Sequence, residues 1–116
     1  MDAPAPVDVE AVRRTIRRAL AHGSALPHHE ELVELEALLR EHIRRLLPIA
    51  RARAAALRPV SPQRLRYRAR LEWIANQVGR GLGEGLPSAR QQVRSLAQDC
   101  RWLLHQTPEW NRKATP

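Results

Sequence analysis

The chain has 116 residues and a mass of 13.2 kDa, enough for one compact domain and little more. Apolar residues make up 43% of it, but the only aromatics are Tyr67, Trp73, Trp102 and Trp110. Twenty basic residues against twelve acidic ones leave a formal charge of +8, and every base except Lys113 is Arg. The longest apolar run, Leu46-Leu47-Pro48-Ile49-Ala50, falls far short of a membrane span. The first residues, Met1-Asp2-Ala3-Pro4, lack the basic and apolar regions of an export signal. Cys100 has no second cysteine to pair with, which suits a reducing compartment. A cytoplasmic protein without membrane contact is therefore expected.

Residues 1–7 carry two prolines and no periodicity, and read as a flexible leader. Asp8 is a good N-cap, and Val9, Val12, Ile16 and Leu20 then recur on one helical stripe. Gly23 should stop this first helix, with Arg17, Arg18 and His22 suited to its C-terminal dipole. The second helix opens at Pro27, with Glu30 and Glu31 close to its positive end. Leu32, Leu35, Leu39, Ile43, Leu46, Ala50 and Leu57 hold one face as far as Pro59. Pro48 interrupts that run. An interior proline removes one backbone hydrogen bond and crowds the preceding turn, so a kink or break is expected near Arg44 to Leu47.

Ser61-Pro62 restarts the chain as N-cap and first helical residue, with Val60 within stapling reach of Leu65. Tyr67, Leu71, Ile74 and Val78 form the buried stripe of this third helix, which the glycines from Gly79 to Gly85 should end. Ser88, with Gln91 three residues later, has the spacing of a capping box. Ala89, Val93, Leu96, Cys100 and Leu103 then supply a fourth stripe, and Thr107-Pro108 stops it. No segment alternates with period two. The expectation is an all-α antiparallel four-helix bundle over residues 8–106, its second helix long and kinked or broken near Pro48, with 107–116 as a C-terminal tail.

The run Leu38-Leu39-Arg40-Glu41-His42-Ile43-Arg44-Arg45-Leu46-Leu47-Pro48, the Ala/Arg-rich stretch behind it, Arg66-Tyr67-Arg68-Ala69, and Ala89-Arg90 with Leu96-Ala97 carry a resemblance. The chain resembles, over roughly residues 10 to 106, a small actinobacterial family of helical domains loosely labelled natural-product biosynthesis proteins. The family has no established activity, so the resemblance brings no functional residue with it.

Charge is unevenly laid out. Five Glu and one Arg lie between His28 and Glu41, whereas nine Arg and no acid lie between His42 and Arg70. A first helix folded back on the second would bring Arg17 and Arg18 towards Glu30, Glu31 and Glu34. Arg40, Arg44, Arg51 and Arg58 fall in a narrow arc of the second helix, a candidate row for an acidic protein or nucleic acid. Flanking the third stripe are Arg64 and Arg68 on one side and Arg66 and Arg70 on the other. Trp102 points away from the fourth stripe, so another element, the tail with its Trp110, or a partner should cover it. Trp73 lies on the flank of the third helix and is a second candidate contact. Ala50, Ala52, Ala54, Ala55 and Ala56 permit close approach of another helix, and the acidic-then-basic second helix permits antiparallel pairing with a second copy.

Chemistry finds less support. His42 sits on the edge of an apolar stripe, where a histidine is usually packed. His28-His29 beside Glu30-Glu31 lacks further ligands at a zinc spacing. Cys100 reads as a small core hydrophobe. The glycine run matches no phosphate-loop pattern. Glu72 and Asp99 are the only carboxylates in the third and fourth helices, and nothing selects them as a pair. No cofactor or metal is expected. The sequence thus predicts an accessory or regulatory interaction module that self-associates, acting through the arginine row and Trp102. The alternative is non-specific nucleic-acid binding through the same arginines, and a small enzyme built around His42 is a third class.

Overall fold

The computed structural model describes residues 7–21, 29–56, 61–79 and 85–106. Gly23, Pro27, His28, Leu57, Arg58, Val60, Gly81, Gly83 and the tail with Trp110 lie outside them. Four helices follow in order, α1 (Val9–Leu20), α2 (His29–Ala56), α3 (Pro62–Val78) and α4 (Gly85–His105), with no strand among the described residues.

Local chemistry explains the helix ends. Asp8 caps α1, its Oδ1 accepting the Ala11 N–H at 3.1 Å. The Ala21 N–H closes the last turn on the Arg17 carbonyl at 2.9 Å. Ser61 caps α3 through its hydroxyl, which accepts the Arg64 N–H at 3.0 Å, and Pro62 stands where no intrahelical donor is needed. The fourth helix starts three residues earlier than its capping-box spacing suggests, so Ser88 lies inside α4 rather than at its cap. Pro87 is no obstacle there, because first-turn N–H groups have no helical acceptor.

Pro48 does not break α2, which runs unbroken for 28 residues. Pro48 and Arg44 both lie on the exposed side of the helix, where water can satisfy the freed carbonyl. At 1.5 Å per residue α2 spans about 42 Å, close to the 44 Å long dimension of the molecule. It is the spine of the bundle. Its most extensive packing is on α4, and it also contacts α1 and α3.

The core follows from the stripes. Val12, Ile16 and Ala19 of α1 meet Leu32, Leu35, Leu39, Ile43 and Leu46 of α2, closed by Val93, Leu96, Ala97, Cys100 and Leu103 of α4. From α3 only Leu71 and Ile74 are buried, while Tyr67 and Val78 pack at the edge. The third helix is thus the least embedded element, and its contact with α4 is small. Most of its surface is left outside.

Candidate interaction surface on the third helix

Leu65, Ala69 and Trp73 recur every four residues and fall on the side of α3 opposite Leu71 and Ile74. Leu65 is 68% exposed and Trp73 51%, and Ala69 between them is exposed as well. An apolar stripe with an indole at one end is therefore turned outwards. The only other large exposed hydrophobe among the described residues is Val33 at 44%, an isolated residue on α2.

Beside this stripe, on the α2 side, a groove of about 330 Å³ runs between α3 and the second half of α2. Arg64 and Arg68 come from α3 and Arg51 from α2; Ala54, Ala55 and Leu71 line it, and Glu72 is its one carboxylate. The small alanines give the guanidinium groups room. None of the three arginines has an ion-pair partner among the described residues. The Nε of Arg64 is enclosed with no hydrogen-bond partner, a donor that an incoming acceptor would satisfy.

The arginine row of α2 is not one open face. Arg40 is largely buried and paired with Glu36 at 2.6 Å, and Arg44 reaches Glu41 at 4.0 Å, which Arg45 also holds at 3.1 Å. Arg51 joins the α3 groove instead, and Arg58 lies outside the described residues. At the other end Arg18 meets Glu34 at 3.2 Å, as the fold-back of α1 on α2 requires. Arg17, expected beside the same acids, lines a cleft against α4.

Trp102 is half-buried and packs against α3, while the tail expected to meet it lies outside the described residues. Its ring meets Tyr67 at a centroid distance of 5.3 Å and a 45° tilt, and the Arg70 guanidinium sits 5.4 Å from its centre. Arg70 also donates from Nη2 to Asp99 Oδ1 at 3.2 Å. Asp99 is almost wholly buried, and burial raises its carboxyl above the usual range despite the opposing effect of Arg70. Burial likewise raises the Tyr67 phenol, opposed by Arg53. These side chains tie α3 to α4 where apolar packing is thin. Of the two candidate tryptophans, Trp73 is the more exposed among the described residues.

The other groups considered for chemistry have structural work. Thr15 donates its hydroxyl proton to the Ala11 carbonyl at 3.0 Å, so its oxygen accepts from His42 Nε2 at 3.0 Å. That fixes the Nε2–H form of the ring. It also directs the Thr15 proton away from the imidazole, opposite to the arrangement that activates a nucleophile. His42 is held below its ordinary value by burial and then by Arg45, with Glu41 and Asp8 acting the other way. A crevice of about 200 Å³ lies beside it, lined by Asp8, Glu41 and Arg45 among others. Cys100 is fully buried, its thiol pushed up to about 12 by burial and by Asp99. Among the described residues no three His, Cys, Asp or Glu side chains gather as metal ligands, and no helix is long and apolar enough to cross a membrane.

No curated protein and no solved structure matches this chain. The model of the family of unknown function DUF6415 matches residues 10–112, which takes in all four helices. With nearly its whole length aligned to that model, the chain belongs to the DUF6415 family.

Proposed function

We propose that this protein is a non-enzymatic accessory or regulatory module that binds a protein partner through the outward face of α3. The observation that carries this reading is the stripe Leu65–Ala69–Trp73, more than half exposed at both ends and bordered by the guanidinium groups of Arg64, Arg68 and Arg51, which have no ion-pair partner among the described residues. An exposed Trp flanked by Arg has the composition of an interface hot spot. The matching surface is an acidic, amphipathic segment whose apolar side chains cover Trp73 and whose carboxylates enter the groove. A second copy can supply acids too: antiparallel pairing about a two-fold axis sets Glu30 and Glu31 of one α2 against Arg51 of the other. The sequence features favour a cytoplasmic setting, and the resemblance described above implies one linked to actinobacterial natural-product biosynthesis.

The test is differential capture from the native host. Wild type, L65S/W73A, R64E/R68E and the control V33S are immobilised and their bound proteins quantified. The reading expects one protein with an acidic segment to be retained by wild type and V33S and lost from both α3 variants. Equal retention by all four, or by none, contradicts it. Sedimentation at low and high salt checks self-association, which should give a species heavier than 13.2 kDa that dissociates as salt rises. The nucleic-acid alternative rests on the same three arginines. If all three met duplex phosphates, log K would fall with log salt at a slope of about −2.7.

A further inference from the structure

A second cleft lies on the opposite side of the bundle, between α1 and α4, and has a different character. It measures about 490 Å³, within the size range of small-molecule pockets. Ile16, Leu20 and Leu104 form its apolar floor, and Ala21 closes one end. Arg13, Arg17, Arg101 and His105 stand around the rim, and no carboxylate among the described residues lines it.

The arginines of this rim differ from their neighbours. Arg18, next to Arg17, is paired with Glu34, and Arg70 is paired with Asp99 across the α3–α4 contact. Arg13, Arg17 and Arg101 have no ion-pair partner among the described residues. Three guanidinium groups are therefore set around an apolar floor with nothing of opposite charge among the described residues that line it. The spacing is built into the helices. Arg13, Ile16, Arg17 and Leu20 share one face of α1, and Arg101, Leu104 and His105 share one face of α4, so the floor residues and the rim residues alternate down the two walls.

We infer that the α1–α4 cleft is a binding site for a small anionic amphiphile, a molecule with one carboxylate or phosphate head and a hydrocarbon chain. The chain lies along half-buried Leu20 and over the core residues Ile16 and Leu104 beneath the cleft. The head is held at the rim by Arg13, Arg17 or Arg101, whose forked donors match planar oxyanions. A neutral chain would gain only the apolar contact, and a cationic one would meet three like charges. This site is independent of the α3 surface and can fail or succeed without it.

Decanoate is the probe, with acetate and decyltrimethylammonium as controls for chain and charge, all kept below any micelle concentration and followed by calorimetry and amide chemical shifts on the full chain. The expected result is saturable decanoate binding, with shifts centred on α1 and the end of α4, at least about tenfold tighter than either control. R17E and R101E should each weaken it about tenfold or more. A21W, at the exposed end of α1, fills the cleft without touching its charges and should abolish binding. R51E, in the other groove, should leave it unchanged. Variants are compared at equal helicity, so loss of binding is read on folded protein. Absence of decanoate binding overturns the inference. So does wild-type affinity in A21W and R17E, or equal affinity for decyltrimethylammonium. A carboxylate and a phosphate head are separated by repeating the titration with decyl phosphate.

Discussion

Replacing Trp102 by Ala tests how α3 is held. The ring contacts Tyr67 at 5.3 Å and carries Arg70 at 5.4 Å on its face. The aromatic pair is worth about 0.5–1.5 kcal/mol beyond burial, and a partly shielded cation–π contact about 1 kcal/mol. The remaining loss is apolar area and the space left behind. Because Trp102 is only partly enclosed, the total belongs at the low end for Trp→Ala, about 3 kcal/mol. That is a large share of the roughly 5–15 kcal/mol of a domain this size. Trp73→Ala, on the outward face, should cost less than about 1 kcal/mol. Urea denaturation followed by far-ultraviolet circular dichroism separates them. With a slope of about 1.5 kcal/mol/M, W102A lowers the midpoint by about 2 M and W73A by well under 1 M. Equal loss in both variants, or a loss below about 1 kcal/mol for W102A, would refute the assignment of Trp102 to the α3–α4 contact and Trp73 to the surface.

Stability should depend on pH through His42. Burial and Arg45 lower its pKa in the fold, so the unfolded chain takes up the proton more readily. The neutral ring's contribution is whole above the ordinary histidine value of 6.5 and is lost as pH falls through 6.5 towards the folded value. H42Q, which retains a donor for Thr15, should flatten that slope; an unchanged slope speaks against His42. Asp99 acts in the opposite sense, because its raised pKa means that the fold favours the protonated acid. D99N should therefore match or exceed wild-type stability at neutral pH, an advantage that fades as wild-type Asp99 becomes protonated in acid; a loss above about 1 kcal/mol at neutral pH would show that the Arg70 pair outweighs burial. Cys100, buried and with its thiol near 12, should resist alkylation in the native protein and react only as urea unfolds it, so fast labelling without denaturant would contradict its place in the core.

Much of the fold was legible because it rests on local chemistry. Asp8 and Ser61-Pro62 mark helix starts through side-chain and proline geometry that depends only on adjacent residues. The four stripes repeat with the helix period, and the core is built from them. Where local signals competed, the reading slipped. Ser88 has the spacing of a cap, yet α4 begins at Gly85 because a proline two residues on is harmless in a first turn. Pro48 carries a strong break signal, but Leu46 and Leu47 before it and Ala50 and Ala54 after it pack against the same core, and its own side faces water.

The surface was harder to read. A helical wheel drawn on α4 places Trp102 opposite its own stripe and cannot show that α3 crosses there with Tyr67 and Arg70. The arc through Arg40 and Arg44 ignored the glutamates one turn away, Glu36 and Glu41, although that spacing was visible in the chain. The groove joins Arg51 to Arg64 and Arg68 from a different helix, a meeting that exists only once α2 and α3 pack. The staple spacing places Leu65 against Val60, whereas Leu65 is largely exposed because α3 buries only Leu71 and Ile74. Asp99 had no signal at all, since its partner Arg70 is 29 positions away.

A photo-activatable residue placed at position 73 in the native host, with position 33 as the control, reports most directly on whether the third helix meets another protein. The expected outcome is a discrete adduct from position 73 that disappears when R64E/R68E is added and is absent from position 33. No adduct at 73, or the same adducts from both positions, would contradict the assignment of this face as the contact surface.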